Sequence, residues 1–83
     1  MIDLIDQAAL DLVAKERERQ LDKWGDQTHT PEQWKAILDE EVAEAYCQIM
    51  CEGVNEKTVA ELSQIAAVAV AWMRQYLKKS LSK

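Results

Sequence analysis

Residues that interrupt helices are scarce in this sequence, which has two glycines, one proline and no phenylalanine among its 83 residues. Because glycine and proline are the residues that most often end regular structure, their scarcity favours a mostly helical protein. Apolar residues make up 48% of the chain and charged residues 30%, which is ordinary for a folded domain and argues against disorder. We therefore expect one domain over residues 1–83, near the lower size at which a chain buries a core alone.

Basic residues are also in deficit, with ten Lys and Arg against fifteen Asp and Glu, for a net charge of −5. A nucleic-acid surface needs a basic patch, so we expect no nucleic-acid partner. The excess acids are either solvated surface or a site whose charge a cation neutralises. Total charge alone does not choose between the two.

Cysteine and long apolar runs are scarce as well. Cys47 and Cys51 lie one helical turn apart, and without a visible secretory segment they fit free thiols better than a disulfide. A metal site at this pair would want further Cys or His nearby, and the sequence offers none. The longest apolar run, residues 65–73, is half the length of a bilayer span. We expect a soluble, cytoplasmic protein with no membrane partner.

The spacing of apolar residues predicts an all-α chain of three helices. The predicted helices span about residues 2–22, 31–52 and, starting from Asn55 or Thr58, a third segment to 79. Thr30, Pro31 and Gln33 form a capping-box start for the second helix. Gly25 and Gly53 are the predicted stops of the first two helices.

The middle of the third helix is apolar on all sides. Its main stripe consists of Leu62, Ile65, Val68, Ala69, Trp72, Met73 and Tyr76. Ala67, Val70 and Ala71 lie on the opposite side. Two neighbouring helices in so short a chain cannot easily cover both sides, so we expect a dimer or tetramer that completes a helical bundle.

Glutamates interrupt the apolar stripe of the second helix. In steps of 100° per residue, Glu41 falls in the middle of this stripe, Glu44 on its shoulder and Glu40 just outside. Glu61 and Gln64 repeat the same three-residue spacing beside the apolar line of the third helix. If the two helices pack as an antiparallel hairpin, three carboxylates and one amide meet at a partly buried spot.

Buried like charges need protonation or a cation. An all-oxygen set suits Mg²⁺ or Mn²⁺ better than Zn²⁺ or iron. A di-iron bundle would use Glu-x-x-His pairs, and the only histidine, His29, lies in the first connection. The alternative is that these acids reach the edges of the bundle and pair with Arg or Lys.

The acidic pattern Glu40-Glu41-x-x-Glu44, followed by Glu61-x-x-Gln64, resembles the EExxE…ExxD signature of the MazG-like all-α nucleoside triphosphate pyrophosphohydrolases. Residues 16–34 resemble the lead-in of small phage- and prophage-type members. The run AVAVAWM is similar to their third helix. The resemblance covers nearly the whole chain.

This resemblance implies Mg²⁺-dependent cleavage of a (d)NTP between the α- and β-phosphates, giving (d)NMP and pyrophosphate, by a homo-oligomeric bundle. It implies that Glu41, Glu44 and Glu61 are catalytic metal ligands and that Gln64 stands where the family has an aspartate. Glu40, the leading acid, would hold or deprotonate the attacking water. Gln64 removes one negative charge. Two alternatives therefore stay open: a catalytically weak relative that binds nucleotide or metal, and a helical interaction module without enzymatic activity.

Substrate-binding candidates follow the polar end of the first helix. Arg19 and Lys23 are the first candidates for the triphosphate, ahead of Arg17, Lys57 and Arg74. Trp24 is placed to stack on a base, with Gln27 or His29 reading the base edge or a phosphate. The alternatives are that Trp24 caps the core and that His29 only belongs to the loop. Trp34 and Trp72 are stripe residues, and we expect both in the core.

Overall fold

The computed structural model of this chain describes residues 1–81 and is all-helical, with no strand over that range. Its helices are α1 (Leu4–Trp24), α2 (Pro31–Glu52) and α3 (Glu56–Leu81). They pack together as a bundle, so the predicted three-helix layout is confirmed. The predicted helix bounds agree with the structure to within two residues.

The helix ends form for the local reasons expected from the sequence. At the start of α2 the Gln33 amide N–H donates to the Thr30 hydroxyl, and the Thr30 amide N–H donates to the Gln33 side chain. This reciprocal pair is the predicted capping box. Gly25 and Gly53 follow α1 and α2 with φ of 72° and 77°, a backbone conformation that residues with a Cβ atom rarely adopt. Both glycines are therefore the predicted helix stops.

Helix α3 is the central element, because α1 and α2 each pack against it. Over residues 1–81, α1 and α2 make no such backbone contact with each other, and a cleft separates part of their length. The buried apolar residues are few and sit where α2 meets α3: Trp34, Ala45, Ala67 and Val68. The Trp34 and Trp72 rings stack with centroids 6.3 Å apart. Trp34 is buried and Trp72 half-buried, so both belong to the core as predicted.

One side of α3 stays largely exposed, and its edge at Val70, Met73 and Leu77 lines a groove shared with α1. We call this side the outer face of α3; it comprises Val59, Leu62, Val70, Met73, Tyr76 and Leu77, which share one side of the helix. Leu62 and Met73 remain 51% and 53% exposed. The main stripe of α3 is therefore only partly buried, because Leu62, Met73 and Tyr76 are exposed. The buried side runs through Ala67 instead, whose small side chain lets a neighbouring helix approach closely.

None of the three helices within residues 1–81 combines the length and apolarity that a bilayer span requires.

Candidate metal centre and adjoining cavity

Three glutamates from two helices converge at the α2–α3 contact. Glu41 and Glu44 lie one turn apart on α2, and Glu61 faces them from the first half of α3. One carboxylate oxygen from each residue lies within 4.8 Å of the other two. Two oxygens on opposite sides of one Mg²⁺ are about 4.2 Å apart, so a small side-chain movement would let these carboxylates share one cation.

Two oxygens of this cluster are buried without a hydrogen-bond partner, Oε2 of Glu41 and Oε2 of Glu61. Both residues are half-buried, whereas Glu44 is exposed. The expectation that Glu44 faces inward is therefore only partly met, since it reaches the cluster from the solvent side. An unpartnered buried carboxylate oxygen is costly, so the cluster needs a proton or a cation.

The electrostatics of Glu41 agree with that requirement. Burial raises the pKa of Glu41, and the negative charges of Glu44 and Glu61 raise it further. No ion pair within residues 1–81 involves any of the three carboxylates. The arrangement expected for acids that pair with Arg or Lys at the bundle edges is therefore not found at this cluster.

Glu40 and Gln64 belong to the same sequence pattern as the three convergent carboxylates of Glu41, Glu44 and Glu61. Glu40 is exposed and lines the cavity next to Glu41. Its exposure agrees with the helical wheel, which puts Glu40 just outside the apolar stripe. Gln64 is half-buried on α3, one turn after Glu61. The three-residue spacing puts Gln64 on the same side of α3 as Glu61, and its amide oxygen is a possible neutral metal ligand.

A cavity of about 300 Å³ opens beside the carboxylates, between α1, α2 and the loop that joins them. Glu40 and Glu41 line it from α2, and Arg17, Gln20 and Trp24 line it from α1. These α1 residues are spaced i, i+3 and i+7 and therefore share one face of the helix. The Arg17 guanidinium donates to the side chain of buried Gln20 over 2.9 Å, which orients it at the cavity.

Part of the predicted substrate-binding set lines the cavity, whereas Arg19, Lys23 and His29 are not among its described lining residues. Trp24 and Gln27 line the cavity, and Trp24 is half-exposed there. The Arg19 guanidinium makes two hydrogen bonds to the carboxylate of Glu16, and the contact lowers the pKa of Glu16. The Lys23 ammonium lies 4.9 Å from the centre of the Trp24 ring. Arg17, which sequence reasoning ranked behind these two cations, lines the cavity; its i+7 relation to Trp24 was the available signal.

His29 is held in the loop and faces the core. Its ring meets Trp34 edge-on at 4.7 Å between centroids, and its Nε2 lies 3.2 Å from the Gln27 side chain. Its backbone N–H donates to Oε1 of Gln75, which also accepts from the Trp34 indole, while Nε2 of Gln75 donates to the His29 carbonyl. Sequence reasoning missed Gln75 because nothing in a helical pattern links it to a loop 46 residues earlier.

A second clamp holds the start of this loop. Asp26 lines the cavity and accepts hydrogen bonds from Lys78 at 2.6 Å and from Arg74 at 3.2 and 3.4 Å. These contacts lower the pKa of Asp26 to about 2. Together with the contacts of Gln75 they fasten the α1–α2 loop, which contributes Asp26 and Gln27 to the cavity lining, to α3. Arg74 was a minor phosphate candidate, and the structure places it in this clamp.

Comparisons with protein-family models, with curated proteins and with solved structures find no match to this chain. The MazG-like resemblance thus stays a prediction that depends on the acidic pattern. The site's geometry supplies the independent observations from which a function is proposed.

Proposed function

We propose that this chain is a MazG-like, Mg²⁺-dependent nucleoside triphosphate pyrophosphohydrolase. The observation that carries the proposal is the convergence of Glu41, Glu44 and Glu61, with two buried carboxylate oxygens that lack a partner. A structural role for these acids would leave that charge uncompensated. A divalent cation and the phosphates that it binds would compensate it.

The residues present fit a hard cation. All the donors are oxygens, with no thiolate or imidazole in the cluster, and Mg²⁺ or Mn²⁺ prefers this set. Glu41, Glu44 and Glu61 would hold the ion, and the carbonyl oxygen of Gln64 would be an additional, neutral ligand. When bound, Mg²⁺ supplies Lewis-acid polarisation of a phosphate oxygen and neutralises the charge that develops in phosphoryl transfer.

The chain's own groups would then orient the substrate and the water. Glu40 lines the cavity beside the cluster, is exposed, and is free to accept a proton from a water at its mouth. Arg17 brings a positive charge to the same cavity, where it would contact the phosphate chain. Trp24 offers an indole face for a base, and Gln27 an amide that can hydrogen-bond its edge. Arg19, Lys23 and His29 are not among the described residues that line this cavity.

A homo-oligomer belongs to this proposal, as a dimer or a tetramer. The solvent-accessible surface of the chain is 6337 Å², whereas a compact monomer of its 9.5 kDa mass exposes about 5,000 Å². The excess accompanies exposed apolar side chains on all three helices, among them Leu62 and Met73 on the outer face of α3. A second copy of the chain is present in every solution of the protein and is therefore the partner that we propose covers this apolar surface. Placement in the cytoplasm, in a phage or prophage setting, is also part of the proposal.

Pyrophosphate release from a panel of NTPs and dNTPs, with Mg²⁺ or Mn²⁺, tests the activity. We expect turnover of at least one nucleotide, reduced at least about 100-fold in Glu41→Gln and Glu61→Gln because each removes a charge that positions the cation. Asp39→Asn is the matched control, since Asp39 is an exposed acid on α2 paired with Lys35. No turnover of any nucleotide would refute the enzymatic proposal.

A catalytically weak binding protein is the second candidate, and Gln64 favours it. One carboxylate fewer holds a cation less firmly. In that case Mg²⁺ or a nucleotide raises the melting temperature without turnover, and Gln64→Asp strengthens Mg²⁺ binding. If neither ligand changes the melting temperature, this candidate fails as well.

A further inference from the structure

A pair of thiols at the end of α2 lies outside the carboxylate cluster and has no part in the proposed hydrolysis. Cys47 and Cys51 are free and exposed, as the sequence predicted. Their Sγ atoms are 3.8 Å apart and share one S–H hydrogen bond. Two sulfurs this close can bind to each other or to one atom placed between them.

Helix geometry disfavours the disulfide. Residues four apart on an α-helix have Cβ atoms about 5–6 Å apart. A disulfide needs about 3.5–4.5 Å between Cβ atoms and about 2.05 Å between sulfurs. Closing this pair would distort the last turns of α2. Those turns are fastened from behind, because buried Gln48 donates to the Gly53 carbonyl and accepts from the Thr58 hydroxyl.

A bridging cation needs no such distortion. Two thiolates bound to one tetrahedral Zn²⁺, at about 2.3 Å each, are separated by about 3.8 Å. The sulfurs of Cys47 and Cys51 already stand at that separation. Glu44, Glu52 and Glu61 line the same shallow groove together with Lys57, whose ammonium pairs with Glu52, so the lining keeps a net negative charge. No further Cys or His within residues 1–81 lines this groove, and water would be the remaining ligand because the groove is exposed.

From these distances we infer that Cys47 and Cys51 form a site for a thiophilic, tetrahedral divalent cation of the Zn²⁺ class. The site uses soft sulfur donors, so it is chemically distinct from the oxygen cluster formed by Glu41 and its neighbours. Both thiol protons are released to solvent when the cation binds, because thiolates are the ligands. The inference does not depend on the proposed hydrolase activity.

Cd²⁺ is the probe, because thiolate ligation gives an ultraviolet charge-transfer absorption that oxygen ligands do not give. We expect reduced protein to develop this absorption up to one Cd²⁺ per chain, with excess Mg²⁺ present. Cys47→Ser and Cys51→Ser should each weaken Cd²⁺ binding by at least about tenfold. Their Mg²⁺ response and their helical circular-dichroism signal should match the wild type, which shows that the fold and the carboxylate cluster persist.

Three outcomes would overturn the inference. The first is no charge-transfer absorption in the folded wild type. The second is an undiminished absorption in either serine variant, since a two-thiol site cannot survive the loss of one thiol. The third is saturation at one Cd²⁺ per two chains, which would mean that the thiols bridge separate copies.

Discussion

The outer face of α3 leads to a prediction about the oligomeric state of the protein. The chain exposes 6337 Å², about 1,300 Å² more than a compact monomer of 9.5 kDa. If two copies each bury that excess, the interface covers about 2,600 Å², in the range of obligate homodimers. We therefore expect wild-type protein to be a dimer or tetramer at micromolar concentration.

The double variant Leu62→Glu/Met73→Glu should dissociate it. Burying a Leu or Met side chain fully stabilises by about 1.5–3 kcal/mol, and each of these is already about half-buried within the chain. The loss is then about 0.7–1.5 kcal/mol per site, or about 3–6 kcal/mol for four sites in a dimer. This corresponds to a rise in Kd of about 10²–10⁴-fold. Repulsion between the new charges adds to it.

Sedimentation equilibrium measures this directly, with circular dichroism to check that each protein stays helical. Val54→Glu is the matched control, because Val54 is an exposed apolar residue in the α2–α3 connection, away from the outer face. Its Kd should stay near the wild-type value. A wild type that sediments as a folded 9.5 kDa monomer at tens of micromolar would refute the reasoning, as would a double variant with an unchanged Kd.

Three smaller predictions concern stability. Gln75→Leu leaves the indole N–H of Trp34 without its acceptor and should destabilise by about 1–3 kcal/mol in chemical unfolding, whereas Gln75→Glu, which keeps the acceptor, should lose less. Asp26, with its pKa lowered to about 2, contributes stability above pH 3.8 that is lost as the pH falls towards 2; Asp26→Asn should flatten the unfolding free energy over that window. Glu41 has the opposite sign: its raised pKa means that, without divalent cation, stability falls as the pH rises above 4.5, and Glu41→Gln should remove that slope. An unchanged slope in either variant would contradict its assignment.

Local signals in the sequence predicted most of the fold. The capping box at Thr30 and Gln33 and the stops at Gly25 and Gly53 each depend on residues within one turn, so a single sequence contains the whole interaction. The convergence of Glu44 with Glu61 was also predictable. A short antiparallel connection fixes the depth of both residues relative to Gly53.

The orientation of α3 could not be predicted in the same way. Its middle turns are apolar on every side, so periodicity does not predict which side packs against the other helices. The structure buries the side of the small Ala67 and leaves Leu62 and Met73 about half exposed. The long-range clamps were equally hidden. Gln75 and Asp26 each bind partners more than 40 residues away, and a polar residue in a helix carries no mark of such a partner.

Within residues 1–81 the structure shows two kinds of uncompensated feature, and they call for different partners. Charge accumulates at Glu41 and Glu61, where buried oxygens lack donors, and a cation compensates it. Exposed apolar area lies on all three helices, including the outer face of α3, where a further protein surface would compensate it. Because Glu61 lies on the side of α3 that meets α2, while Leu62 and Met73 lie on the outer face, the two deficits are physically separate. Substitutions on the outer face should therefore change the oligomeric state without changing the arrangement of the carboxylate cluster. If Leu62→Glu/Met73→Glu also abolishes Mg²⁺ binding while the monomer stays folded, the cation site depends on the second copy.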